Sequence, residues 1–115
     1  MLQPGPAKKI TIHLNEDTIA HDDFLYREIF SYLLRRGVAG ATLVRPVAGF
    51  GSHRRIHAAD ADGTASEHLP VRIEFIDDLQ TVESLLEELR GLITDGVIEA
   101  QDTTILHAAR SGARG

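Results

Sequence analysis

Apolar and polar positions alternate with a period of two over residues 8–14. Ile10, Ile12 and Leu14 share one side, and Lys9, Thr11 and His13 share the other. Successive side chains on an extended backbone point to opposite faces, so this period predicts a half-buried strand. Asn15, Glu16, Asp17 and Thr18 end the alternation. The period then changes. Leu25, Ile29 and Leu33, with Phe30 and Leu34, stand three or four apart and predict an amphipathic helix ending at about Arg36. Asp22 or Asp23 is the expected cap, without a full capping box because no Glu or Gln stands three positions after Asp23. Arg35 and Arg36 suit the negative end of the helix dipole, and Gly37 suits the stop.

Strand character returns over residues 40–48, with β-branched Thr42, Val44 and Val47. Pro46 has no N–H to donate, so it marks an edge, a bulge or the end of pairing. Residues 50–67 show no apolar period, and the part from Ala58 to Ser66 is small, polar and rich in breakers. A connection this long in a compact domain is often functional or mobile. A third strand is predicted over 69–76, with Leu69, Val71, Ile73 and Phe75 on one face and Arg72 and Glu74 on the other. Asp77 or Asp78 caps a second helix to about Thr94. Its stripe is Leu79, Val82, Leu85, Leu86, Leu89 and Ile93, its solvated side holds Glu83, Glu87 and Glu88, and Asp95-Gly96 ends it. Residues 97–100 can start a fourth strand, and 103–107 carry a stronger strand signal.

The order β-α-β-β-α-β predicts an α+β, ferredoxin-like fold, in which a four-stranded antiparallel sheet carries both helices on one face. The other face must be solvated or covered by another subunit. Val44, Ile76, Val97 and Leu106 are its candidate apolar positions, so self-association is expected. The domain is placed at 8–109, between a disordered tail at 1–7 and a flexible tail at 110–115.

Composition narrows the function classes. A chain of 115 residues fits one domain. Seventeen acidic against twelve basic residues give a net charge of -5, which argues against nucleic acid as a partner. The chain has no cysteine, so disulfides and thiolate metal sites are excluded, and a reducing cytoplasmic location fits. No apolar run approaches the roughly 18 residues of a membrane helix. The opening MLQPGPAKK lacks the apolar centre of a signal peptide.

The candidate chemistry gathers in residues 40–57. This stretch begins as a strand and ends in donors and cations that a core strand does not need. Gly49 and Gly51, flanking Phe50, can bring backbone N–H groups near an anion, or can simply serve a tight turn or bulge. Arg54 and Arg55 can grip phosphate or carboxylate through fork geometry, or can be solvated or paired with Asp60 or Glu67. His53 and His57, with His68 brought in, could collect a metal ion. The segment does not read as helix and no third ligand lies nearby, so His57 reads better as a donor shaping the loop base. His13, His21 and His107 read as strand-face or surface residues. Arg45 and Arg72 can reach a ligand between subunits, or can pair with Glu74 or Glu99. Asp22-Asp23 and Asp77-Asp78 stand at helix starts and read as caps rather than acid/base pairs. There is no Ser-His-Asp order with an elbow, no cysteine nucleophile and no phosphate-binding P-loop. The expectation is therefore no enzyme, no catalytic residue, no cofactor and no resident metal.

Two stretches carry a resemblance. GATLVRPVAGFG over 40–51, followed by Arg55-Ile-His57, and LPVRIEFID over 69–77 resemble the signature of the family catalogued as domain of unknown function 190. The similarity runs over about residues 8–107. That family is similar to the nitrogen-regulatory PII signalling proteins. The resemblance implies a homotrimer of ferredoxin-like subunits, small-ligand sites in the clefts between them, and a mobile loop, here 50–67, that contacts a regulated target. Family members tend to be encoded near fluoride-exporter genes, which implies a membrane-transport protein as that target. The implied ligand is a small anion, a nucleotide among the candidates, and the candidate residues are Arg45, Gly49, Phe50, Gly51, His53, Arg54, Arg55 and His57. The alternative is a metal- or ion-responsive trimer that uses His53 and His57. PII nucleotide sites use a Gly- and basic-rich loop after the second helix. Here 94–102 has one Gly, no Lys or Arg and three carboxylates, which are expected to repel a triphosphate.

Overall fold

The computed structural model describes residues 2–20, 23–45, 48–49, 57–58 and 70–109. Strand β1 (Gly5–Asn15) buries Ile10, Ile12 and Leu14 on one face, as its alternation requires. A short ladder of β2 (Ile19–Ala20) and β3 (Asp23–Phe24) leads into helix α1 (Leu25–Arg35). Three short strands follow: β4 (Thr42–Val44), β5 (Ala48–Gly49) and β6 (His57–Ala58). Then come β7 (Pro70–Asp77), helix α2 (Leu79–Leu92) and β8 (Val97–Ile105).

The main sheet has the order β4-β7-β1-β8, and every described pairing in it is antiparallel. β1 and β4 are therefore parallel with β7 between them, and β7 and β8 are parallel with β1 between them. These are two interlocked split β-α-β units, the ferredoxin-like arrangement that the element order predicts. Both helices lie on the face of Ile10, Ile12, Val71, Ile73 and Phe75. Leu25, Ile29 and Leu33 from α1 and Val82, Leu85 and Leu89 from α2 close one core with them. Tyr32 ties the helices together at the rim of that core. Its hydroxyl donates to Glu88 Oε1 at 3.1 Å and accepts from Arg36 Nη1 at 3.1 Å, while Arg36 also pairs with Glu88.

Several boundaries differ from the sequence reading, each for a physical reason. Gly5, Pro6 and Ala7, assigned to the tail, pair with Ile105, Thr104 and Thr103, and Ala7 is buried. The described β1–β7 ladder starts at Lys8↔Asp77, so at Pro6 only β8 lies beside β1, an edge position where proline is tolerated. Asp23 does not cap α1. The N-cap is Phe24, which has no side-chain hydrogen bond, and Asp23 Oδ1 accepts from the Phe24 N–H at 2.7 Å. The Leu25 N–H donates instead to the Thr18 carbonyl at 2.8 Å, so the preceding turn does the work of a cap. Asp78 does cap α2, accepting from the Thr81 N–H at 2.8 Å, and that helix ends at Leu92 rather than Thr94. The fourth strand is continuous through Gln101 and Asp102. Along an edge strand such polar residues keep water on one side and a cross-strand partner on the other. The expected tail at 110–115, the alternative cap Asp22 and the strand break at Pro46 lie outside the described residues.

The face away from the helices is mixed. Register places Lys9, Thr11 and His13 of β1 there, with Val44 of β4, Arg72, Glu74 and Ile76 of β7, and Val97 and Glu99 of β8. Val44, Ile76 and Val97 therefore stand where the sequence put them. Leu106 does not, because it lies one residue past the end of β8 and is 87% exposed.

Candidate functional site

Parallel β1 and β4 release the chain at the same end of the sheet. Asn15, the last residue of β1, stands opposite Pro70, and Val44, the last of β4, stands opposite Arg72. The next residues, Glu16 and Arg45, meet there. Arg45 Nη2 lies 2.6 Å from Glu16 Oε1. The Arg45 side chain is 50% exposed and that of Glu16 only 17%. The second carboxylate oxygen, Glu16 Oε2, is buried without a hydrogen-bond partner. A carboxylate withdrawn from water needs a compensating charge, and Arg45 supplies it.

Just beyond, β5 and β6 form a two-rung ladder, Ala48↔Ala58 and Gly49↔His57. The long connection expected at 50–67 is thus entered through paired backbone, and two candidate residues, Gly49 and His57, are opposite each other in its register. Of the eight candidates, Arg45, Gly49 and His57 fall within the described residues, while Phe50, Gly51, His53, Arg54 and Arg55 lie outside them. His68 also lies outside, so the histidine set of the alternative metal reading is not described. Among the described residues no group of three His, Asp or Glu side chains is placed to hold a metal ion.

The charge pairs also rearrange the sequence reading. Arg72 Nε lies 3.6 Å from Glu74 Oε2, one of the two partners weighed for it. Arg45 takes neither Glu74 nor Glu99. His13 Nε2 lies 2.7 Å from Glu99 Oε1, and Lys8 Nζ pairs with Asp102. The acidic segment 94–102 is therefore not a loop. β8 begins at Val97, and two of the three carboxylates stand in its ladder against basic side chains of β1.

Glu16 is the residue that the sequence reading missed. It looked like a polar break after a strand, and its partner is far away in the chain. The available signal was topological. In a split β-α-β unit the first two strands are parallel, so a carboxylate just after one and a cation just after the other are brought to one end. A second feature, a groove of about 730 Å³ between α2 and the β1–β8 side of the sheet, also went unnoticed. Ile10, Leu79, Leu86, Ile93, Ile98 and Arg90 are among its lining residues.

Comparison with known proteins agrees with this architecture. Residues 7–105 match the family model DUF190, described as "Uncharacterized ACR". The chain is 29% identical over 100 residues to a UPF0166 protein of Aquifex aeolicus, covering 87% of this chain and 93% of that protein. It is 31% identical over 97 residues to a UPF0166 protein of Methanocaldococcus jannaschii, covering 84% and 88%. Among solved structures it resembles CPII from Thiomonas intermedia K12, described as a nitrogen regulatory PII-like protein bound to ADP, AMP and bicarbonate. The TM-score is 0.61 at 23% identity, over 90% of this chain and 99% of that one.

Proposed function

Because this chain belongs to the DUF190 family and has a PII-like fold, we propose that it is a regulatory protein that binds a small anionic ligand, with adenine nucleotides as the first candidates. The observation that carries this reading is Arg45. It is a half-exposed guanidinium at the end of the sheet, held on one side by Glu16 among the described residues, three residues before the first rung of the Gly49–His57 ladder. A guanidinium has five N–H donors in a fixed fork, so one held from one side keeps donors for a phosphate or carboxylate. The pairing of Asp102 with Lys8 fits the same reading, because the amine offsets that carboxylate's charge, and Glu99 is engaged by His13. CPII is bound to ADP, AMP and bicarbonate, so these are the compounds to try first.

In this proposal three copies assemble, and the ligand sits between two of them. Arg45, Gly49, Phe50, Gly51, His53, Arg54, Arg55 and His57 contribute to its site. Residues 50–67 contact a target, for which a membrane-transport protein is the candidate. The ligand controls that contact by preferring one conformation over another, and its effect cannot exceed the difference in its affinity for the two. The role is recognition rather than catalysis.

The test is calorimetric titration of the purified chain with ADP, AMP and bicarbonate, singly and together, with light scattering to count subunits. Saturable nucleotide binding to a trimer is expected. Arg54→Ala or Arg55→Ala should weaken it by roughly tenfold or more, since a hydrogen bond to a charged group is worth about 1.5–3 kcal/mol. Both variants should remain trimeric. No binding of any of the three compounds, or equal binding by both variants, defeats the proposal.

A further inference from the structure

We propose that Glu16 is a positioning residue for Arg45, fixing its guanidinium at the sheet end so that the donors Glu16 does not engage face an anionic ligand. The inference rests on the reading of Arg45 as a ligand-binding residue and assigns a role to a group outside that set. Its basis is the asymmetry of the pair. The acid is the more enclosed member, at 17% exposure, and the base is the open member, at 50%. A pair that served only the fold would gain most from engaging both carboxylate oxygens, because a buried oxygen without a partner is costly. Here Oε2 is buried and unpartnered, while Oε1 lies against one end of the fork, Nη2. Glu16 is therefore anchored behind the guanidinium. It cannot follow Arg45 into water without exposing Oε2, and Arg45 cannot swing away without leaving a half-buried carboxylate unpaired.

Backbone geometry reinforces the anchor. Glu16 follows the last rung of the β1–β7 ladder, Asn15↔Pro70, and Arg45 follows the last rung of the β4–β7 ladder, Val44↔Arg72. Both ends of the pair thus hang from the same strand, β7. An arginine on an unsupported strand end would lose side-chain freedom when it met a ligand, and one already held by Glu16 has lost it beforehand.

The test is a thermodynamic cycle read by ADP titration of the full-length chain: unaltered, Glu16→Gln, Arg45→Ala and the double variant. Glu16→Gln keeps size and removes charge, and is expected to weaken ADP binding about tenfold. Arg45→Ala should weaken it at least as much. The double variant should bind no more weakly than Arg45→Ala alone, because Glu16 acts only through Arg45; coupled residues give this non-additivity. If Glu16→Gln weakens ADP equally in the Arg45→Ala background, the role is merely structural and the inference is overturned. If Glu16→Gln leaves affinity unchanged or raises it while Arg45→Ala lowers it, positioning is refuted and the ligand reading stands. If the unaltered chain binds no ADP, both fall together. Should Glu16→Gln fail to fold, Glu16→Asp takes its place. It withdraws the charge by one methylene, and the same non-additivity with Arg45→Ala is expected.

Discussion

Among the described glycines compared for the space around an added Cβ, Gly96 is the one where a methyl group should cost the most. It stands in the turn between α2 and β8 at φ +156°, a conformation that L side chains rarely adopt. A Cβ placed there would lie 2.5 Å from the His13 carbonyl oxygen and 2.8 Å from Leu14 Cδ2. The first of these is backbone, fixed because His13 pairs with Val97 in the β1–β8 ladder and with Arg72 in the β1–β7 ladder. The strand cannot yield without breaking rungs, so the turn must. Backbone strain of this kind costs on the order of 1–3 kcal/mol. Relief of the clash adds to it, and a total of about 2–4 kcal/mol is expected for Gly96→Ala, at the high end for point substitutions. At about 4 °C per kcal/mol for a domain of this size, the melting temperature should fall by roughly 8–16 °C. Gly40→Ala and Gly91→Ala are the controls, since neither Cβ would meet anything within 4 Å. Gly91 lies in α2, so alanine there should gain about 0.5–1 kcal/mol. Urea unfolding followed by circular dichroism, at one protein concentration because assembly adds to apparent stability, gives all three values. A Gly96→Ala chain within about 0.5 kcal/mol of the unaltered one, the range of an ordinary surface substitution, would refute the close approach of this turn to β1.

Two other perturbations test the links between elements. Asp78→Ala removes the α2 cap and should lower the urea midpoint. The Thr81 backbone N–H holds the Asp78 carboxyl below its ordinary pKa. Its contribution is therefore present above the unfolded carboxylate pKa of about 3.9 and lost as pH falls through the folded value. The gap between the two proteins should close on acidification, and a gap that persists at about pH 2 speaks against the cap. Tyr32→Phe removes the hydroxyl that joins Glu88 and Arg36, at an expected cost of about 0.5–1.5 kcal/mol near neutral pH. Burial, and then the hydrogen bond to Glu88, raise the Tyr32 pKa above its usual value. The folded state therefore keeps that proton longer than the unfolded chain does. The advantage of the unaltered protein is complete below about pH 10 and lost as pH rises through the folded value. Unfolding curves at about pH 8 and about pH 11 should show the two proteins converging, and parallel curves would count against the buried hydroxyl.

Period carried most of the fold. The alternation at Ile10, Ile12 and Leu14 and the stripe at Leu79, Val82, Leu85, Leu86, Leu89 and Ile93 define the sheet face and the helix face that meet in the core; Val82, Leu85 and Leu89 are buried, whereas Leu86 and Ile93 are half-buried and Leu79 is exposed along the groove. The failures share one cause, which is backbone or side-chain pairing that the local pattern does not show. Gly5 and Pro6 read as breakers until β8 supplies their partners. Asp23 looked like a cap because local chemistry favours it, yet the Thr18 carbonyl reaches Leu25 first. His57 and Gly49 read as isolated candidates in a loop, and a two-rung ladder joins them. Glu16 could not be linked to Arg45 until the two parallel strands set their ends side by side. Arg54 and Arg55, the conspicuous charges of the sequence, lie outside the described residues, so their assignment rests on composition and resemblance.

The acidic stretch after α2 shows how topology changes an electrostatic expectation. Read as a loop, Asp95, Glu99 and Asp102 form one negative patch facing any phosphate. In the sheet they separate. Glu99 stands opposite Thr11 on the face away from the helices and meets His13, whereas Asp102 stands opposite Lys8 on the helix side and pairs with it. Side chains on opposite faces of a strand do not converge on one point. Exposed charges beyond a Debye length of about 8 Å are largely screened at physiological salt. Only Asp95 remains in the turn. If residues 94–102 opposed a nucleotide as a unit, Glu99→Gln and Asp102→Asn would each tighten ADP binding several-fold. The ladder predicts otherwise, a change of less than about twofold for either, because the two exposed carboxylates stand on opposite faces, are each engaged by a neighbour and are screened by salt. Titration of the two variants at low and physiological salt separates these outcomes. A several-fold gain from both, shrinking as salt rises, would restore the repulsive patch and weigh against a phosphate-bearing ligand.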